Sequence, residues 1–241
     1  MRERLATLIS GGGTTMREII KASQSGEIPM DIACVISSSP TAGGIEKARS
    51  LGIPDKDIIV VDPNDFRGKD KKVDQEGFGL ALLKVLRGYG VTVVTQNGWM
   101  PRTPEHVIDE YRDTIFNQHP GPKKETRATH GLQPHAIMLY IARQTGRNMG
   151  TEVITHRVNE EWDNGPTVGI MHVPILDINE VPEVLQARAL PIEHQLQITL
   201  LQQLARGDVK EVFSQAQYIG SGEEHILRDA RRYARKIYPE G

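Results

Sequence analysis

Short apolar runs recur along the first half of the chain. Each is followed by a loop and then by a segment with helical spacing. Leu5–Ser10, Asp31–Ser37, Ile58–Val61, Val91–Thr95 and Thr114–Phe116 read as strands. Between them, Thr14 or Thr15 can N-cap a helix through about Ser23, with Met16, Ile19 and Ile20 on one face. Further helices are predicted over Ile45–Leu51, up to about Arg87 before the stop at Gly88-Tyr-Gly90, and over Pro104–Tyr111. Pro63–Asp74 is polar and reads as a loop, as does Gln96–Thr103 with its Trp99. Strands that are apolar on both faces and alternate with helices predict an α/β fold. The expected architecture is a Rossmann-like, mostly parallel sheet with helices on both faces.

After Asn117 the pattern changes. Pro120–Gly131 reads as a long polar loop and Leu132 to about Thr145 as an amphipathic helix. Gly150–Asn159 and Thr167–Ile175 alternate as strands on either side of Glu160–Pro166, where Asn164-Gly165 signals a hairpin. A long helix over Val181–Leu204 is interrupted, or begins again, at Pro191. Val212–Ile219 reads as a late strand or extended segment and Glu223–Ile237 as a charged helix, its Lys/Arg face solvated. No repeat or low-complexity linker divides the chain. The expectation is one domain over 1–241, with halves of about 1–116 and about 117–241 and a hairpin and long helix in the second.

Composition narrows the partners. The chain has 241 residues, 38% hydrophobic, 25% charged, with a net charge of −2. Those values suit a soluble protein and suggest neither a nucleic-acid nor an anionic-membrane surface. The single cysteine, Cys34, lies in the apolar run Ile32–Ile36 and is expected to be buried. The first apolar run is too short for a signal segment, so a cytoplasmic location is expected.

Candidate chemistry lies at three places. Asn117 and His119 sit two residues apart at the end of a strand, where side chains share a face and α/β folds place ligands. A capping asparagine and a surface histidine fit the same pattern. Gly11-Gly-Gly13, between a strand and a helix that opens with Thr14-Thr15, offers free N–H groups and a helix dipole to an anion. The strand ending in Ser37-Ser-Ser39 lacks the acidic residue of a dinucleotide site, so a phosphomonoester is the better occupant than NAD, with a plain tight turn as the alternative. Asp163 alone reads as a turn-forming residue. The histidines show no spacing that predicts a metal site.

Taken together, these segments resemble the folate-dependent formyltransferases. Leu8-Ile-Ser-Gly-Gly-Gly13, Gly44–Ile53, Asn117-Gln-His-Pro120, the block Gly150-Thr-Glu-Val153 with His156-Arg-Val158 and Asp163-Asn-Gly-Pro166, and Glu193-His194 carry the likeness. It spans roughly Leu5–Leu204 and is strongest to the branch that formylates glycinamide ribonucleotide in purine synthesis. The resemblance implies 10-formyltetrahydrofolate as co-substrate, no metal, and a monomer or homodimer with small-molecule substrates. It implies Asn117 as a donor to the oxyanion, and His119 and Asp163 as the proton-handling pair. Gly11, Gly12, Gly13, Thr14, Thr15 and Glu193 would hold the phosphoribosyl amine. Lys69, Trp99, Met100, Arg102, Glu160, Glu161 and Trp162 would meet the folate.

The chain departs from the family around the acceptor. Thr14-Thr15 stands for Ser-Asn, Leu190 for a glutamine, and Gly121–Arg127 for Ser-Leu-Leu-Pro and the loop after it. Alternative acceptors, such as a sugar-nucleotide amine, follow from those departures. So do a formyltetrahydrofolate hydrolase and a nucleotide-binding domain without turnover.

Overall fold

The structure is a computed structural model and describes residues 2–241. Its elements are β1 (Glu3–Ile9), α1 (Thr14–Ser25), β2 (Met30–Ser37), α2 (Gly44–Ser50), β3 (Ile58–Val60), α3 (Gln75–Gly88), β4 (Val93–Gln96), α4 (Glu105–Glu110) and β5 (Ile115–His119). They continue with α5 (Lys123–Thr126), α6 (Gln133–Thr145), β6 (Thr151–Arg157), β7 (Thr167–Val173), α7 (Pro182–Ala205) and α8 (Glu224–Ile237). The strand order is β3-β2-β1-β4-β5-β6-β7. The pairs from β3 to β5 are parallel and β6–β7 is antiparallel. The fold is therefore α/β, mostly parallel, with a C-terminal hairpin and long helix.

Contacts divide the chain into two units. Unit 1 is Met1–Asn117, Arg157–Glu161 and Gln197–Val209; unit 2 is Gln118–His156, Trp162–Leu196 and Lys210–Gly241. In unit 1 one apolar cluster gathers Leu8, Ile36, Phe78, Leu82, Val94, Trp99 and Ile115. A second gathers Ile9, Met16, Ile20, Val35 and Ala48. Leu8 and Ile9 are neighbours in β1 yet belong to different clusters, because strand side chains alternate faces. Each buried Ile, Leu or Phe contributes roughly 1.5–3 kcal/mol, so both faces hold helices against the sheet.

Unit 2 is built on two further clusters. Leu139, Val153, Val173, Leu185 and Leu196 join α6, the hairpin and α7. Ala136, Ile137 and Ile141 of α6 meet Tyr218, Ala230 and Ala234. The small Ala230 and Ala234 let α8 approach α6 closely, while its charged face stays outward.

The structure departs from the sequence expectations at four places. Pro120–Gly131 is not all loop, since α5 forms within it. Pro191 neither interrupts nor restarts the long helix; α7 runs through it for 24 residues. Val212–Ile219 is not the late strand but the extended alternative: it joins no ladder, and Val212 N–H donates to Thr167 O at 2.9 Å. In α8, Arg231 is not simply solvated: it donates to the main-chain carbonyls of Glu125 and Lys124, at 3.0 and 2.9 Å.

Candidate active site

The glycine loop belongs to unit 1 and is shaped by backbone. Gly13 has φ +61 and is the residue before α1, with no side chain capping the helix. Left-handed backbone favours glycine, and the uncapped first turn leaves N–H groups for an anion. Gly44 N–H donates to Gly11 O at 3.0 Å. A Cβ on Gly44 would come within 2.4 Å of Ile9 Cδ1, so α2 reaches the loop only as glycine. From α2, Lys47 extends its ammonium to the Gly12 carbonyl. That cation was missed by sequence reasoning, although it lies in the quoted Gly44–Ile53 stretch. Thr14 and Thr15 open α1 beside this loop.

His119 ends β5, belongs to unit 2 and is 2% exposed. Its Nδ1 lies 3.5 Å from Asp163 Oδ2, and Asp163 Oδ1 lies 3.5 Å from His156 Nε2. On the other side of the ring, Nε2 is 2.8 Å from the Thr126 hydroxyl oxygen. That hydroxyl can also donate to the Pro122 carbonyl at 2.8 Å. Nε2 therefore faces this hydroxyl and Nδ1 faces the carboxylate, so each ring nitrogen has a partner in either tautomer of the neutral ring. Burial pushes His119 down to about 4 from its ordinary 6.5, against the Asp163 charge that raises it. The ring is neutral near pH 7.

Asp163 is the centre of this cluster. It sits in left-handed backbone at φ +49, a conformation that Asp tolerates better than most residues. Ala128, itself at φ +60, donates its N–H to Asp163 Oδ2 at 3.0 Å. Burial raises the carboxyl, but the hydrogen bond from His156, the charges of His119 and His156 and the Ala128 N–H outweigh it and hold Asp163 at about 2. It is an anion across the physiological range. His156, Thr126 and Ala128 were missed by sequence reasoning; only His156 had a signal, in the quoted block after β6 begins.

The remaining expected site residues fall as follows. Asn117 ends unit 1, on β5 two residues before His119. Glu193 belongs to unit 2, is buried, and accepts from Gln118 Nε2. Burial pushes it up to about 7, against that hydrogen bond. In unit 1, Met100 is exposed and its N–H donates to Ser10 Oγ at 2.8 Å. Arg102 donates to the Glu160 carbonyl at 3.3 Å, and Glu161 is exposed beside it in sequence. Trp99 lies in the core, stacked 6.3 Å from Phe78. Lys69 is exposed in the turn closed by the Arg67–Val73 bridge, and Trp162 is exposed in unit 2. Among the described residues no three His, Cys, Asp or Glu side chains are grouped to hold a metal ion, and no helix is long and apolar enough to cross a membrane.

The α/β sheet carries a glycine loop after β1 and a buried imidazole–carboxylate cluster at the end of β5, groups of the kind that serve group transfer. The sequence matches the formyl transferase family over residues 3–201, and the chain belongs to that family. It is 30% identical to a chloroplastic phosphoribosylglycinamide formyltransferase of Arabidopsis thaliana, over 87% of this chain and 68% of that protein. It is also 30% identical to a phosphoribosylglycinamide formyltransferase of Haemophilus influenzae, over 86% of this chain and 90% of that protein. Among solved structures, a phosphoribosylglycinamide formyltransferase from Brucella melitensis aligns with a TM-score of 0.70 at 31% identity, covering 88% of this chain and 100% of that one.

Proposed function

We propose that this chain, as one catalytic domain, transfers the formyl group of 10-formyltetrahydrofolate to the amine of glycinamide ribonucleotide. The observation that carries the reading is the continuous buried series Thr126–His119–Asp163–His156. The amine attacks the formyl carbon and charge grows on the formyl oxygen. Asn117 donates to that oxygen, a contact worth on the order of 3 kcal/mol of barrier. Neutral His119 takes the amine proton, Asp163 stabilises the imidazolium that forms, and the same proton is returned to the leaving nitrogen. Gly11–Thr15 and Lys47 receive the phosphate. The folate reading is supported by exposed Met100, by the Arg102 cation, and by the buried Asn97 Nδ2, which has no partner. This reading carries a cytoplasmic setting and a monomer or homodimer.

One observation favours a second acceptor. Gln118 already bonds Glu193, the carboxylate that the resemblance assigns to the acceptor. A sugar-nucleotide amine could be formylated by the same cluster. The test is release of tetrahydrofolate from the purified protein with 10-formyltetrahydrofolate and either amine. Turnover with glycinamide ribonucleotide that is lost in Asn117→Ala, His119→Ala and Asp163→Ala supports the first reading. Turnover with the sugar nucleotide alone moves the acceptor, and turnover with neither amine sinks formyl transfer.

A further inference from the structure

Unit 2 carries a half-open cavity of about 630 Å³ that none of Asn117, His119 and Asp163 lines. Its walls come from α5, the hairpin, the 212–218 segment and α8, and they include Glu125, Glu152, Phe213, Tyr218 and Arg231. That volume lies within the range of small-molecule sites, roughly 300–1,000 Å³.

Two buried polar atoms in this wall have no partner, Glu152 Oε2 and the Tyr218 hydroxyl. Glu152 is 7% exposed; its Oε1 accepts from Ser214 Oγ at 2.6 Å and its Oε2 has no partner. Tyr218 is 3% exposed and its hydroxyl has no partner. Glu125, also 3% exposed, has no ion pair among the described residues, and burial pushes its carboxyl up to about 7. Tyr218 is raised first by burial and then by Glu152 and Glu125, so the three groups share one field. Of the four cations in the wall, two aim their donors at main chain and at neither carboxylate. Arg231 holds the Glu125 and Lys124 carbonyls, and Lys123 holds the Gly165 carbonyl. Lys124 and Arg127 stand exposed in the wall, where water screens their charges. The rest of the lining includes Ile154, Ile170 and Leu227, which are apolar.

A buried carboxylate without a partner is costly, and water supplies donors but no charge. The missing complement is a positive group with several N–H donors, carried on an apolar body. We propose that this cavity binds a small organic cation, a primary amine whose ammonium head sits among Glu125, Glu152 and Tyr218. Since Glu125 and Thr126 are consecutive in α5, an occupant held by Glu125 also steadies the helix that supplies the hydroxyl to His119.

The test uses the full chain at about pH 8 with benzylamine as probe, followed by calorimetry and thermal shift. Benzoate and benzyl alcohol serve as the charge-reversed and neutral controls. Benzylamine is expected to bind with a Kd of order 1 mM, as its size allows, and at least tenfold more tightly than either control. Glu152→Gln should weaken it about tenfold or more and Tyr218→Phe several-fold. If Glu152→Gln does not fold, Glu125→Gln provides the same comparison. Equal binding of a control, retention of benzylamine by the folded carboxamide variant, or no binding up to about 20 mM overturns the proposal. Loss of binding in His119→Asn, with Glu152→Gln unaffected, would move the amine to the catalytic cluster and overturn it too. None of these readouts depends on formyl transfer.

Discussion

The glycine loop of unit 1 and the histidine cluster of unit 2 both sit where a strand gives way to a loop, but they are built by opposite means. The loop is made of main chain. Its shape depends on the absence of side chains at Gly13 and Gly44, and its charge comes from the first turn of α1 and from Lys47. The cluster is made of side chains that bury a permanent anion between two imidazoles, with two residues, Ala128 and Asp163, in left-handed backbone to hold it. A site of the first kind binds through many weak, exposed donors and tolerates change in most side chains. A site of the second kind concentrates its effect in one carboxylate, so single substitutions are severe.

That contrast is broken most directly at Asp163. Asp163→Asn keeps the size of the side chain and removes the charge that favours the imidazolium. A fall of about 10³-fold in kcat is expected, within the range of proton-transfer and electrostatic effects. Steady-state kinetics on a variant whose circular dichroism is unchanged would check it, and a loss under tenfold would show that the cluster is not the catalytic centre.

The burial of unit 2 has a pH signature that the loop cannot have. His119 and His135 are both pushed down to about 4 by burial, from 6.5. The unfolded chain therefore takes up protons near pH 6.5 that the folded chain refuses, and stability falls as pH drops below about 7. The loss is about 2 kcal/mol for each histidine between pH 7 and pH 5. Asp163, held at about 2, acts in the same direction but only below about pH 4. Urea midpoints measured across this range should show the decline. His135, with neither ring nitrogen bonded, can be replaced to test it: His135→Leu should remove about half of the slope.

For the loop, the expected effects are smaller and fall on binding. Lys47→Met should raise KM for a phosphorylated acceptor about tenfold, or 1.4 kcal/mol, with kcat nearly unchanged. A change in kcat alone would place Lys47 elsewhere in the reaction. The smallest effect is expected at Thr126. Thr126→Val removes one hydrogen bond to the ring, worth about 0.5–1.5 kcal/mol. kcat should fall roughly threefold to tenfold and its pH profile should shift, while Thr126→Ser should restore both.

Much of this was legible before folding. The apolar runs from Leu5 to Phe116 gave the parallel strands, since a strand buried on both faces has no polar positions to hide it. The Gly11–Gly13 loop could be read from its place between a strand and a helix. What could not be read were interactions without sequence period. α5 forms inside a polar stretch because Arg231, more than a hundred residues away, binds its carbonyls. Pro191 continues a helix whose flanks, Leu185, Ala189 and Leu196, are locked into a core. There, packing outweighs the missing hydrogen bond.

The sequence by itself determined which residues could do chemistry: a strand that delivers Asn117 and His119, a glycine loop for an anion, and an aspartate in a turn. Local periodicity and backbone freedom suffice for that, because they act between near neighbours. Only the tertiary structure decided the state of those residues. It buried His119 against Thr126, held Asp163 as an anion with Ala128 and His156, and left Glu152 Oε2 and the Tyr218 hydroxyl facing a cavity without partners. Desolvation and charge depend on what surrounds a group in space, and residues far apart in the chain supply those surroundings.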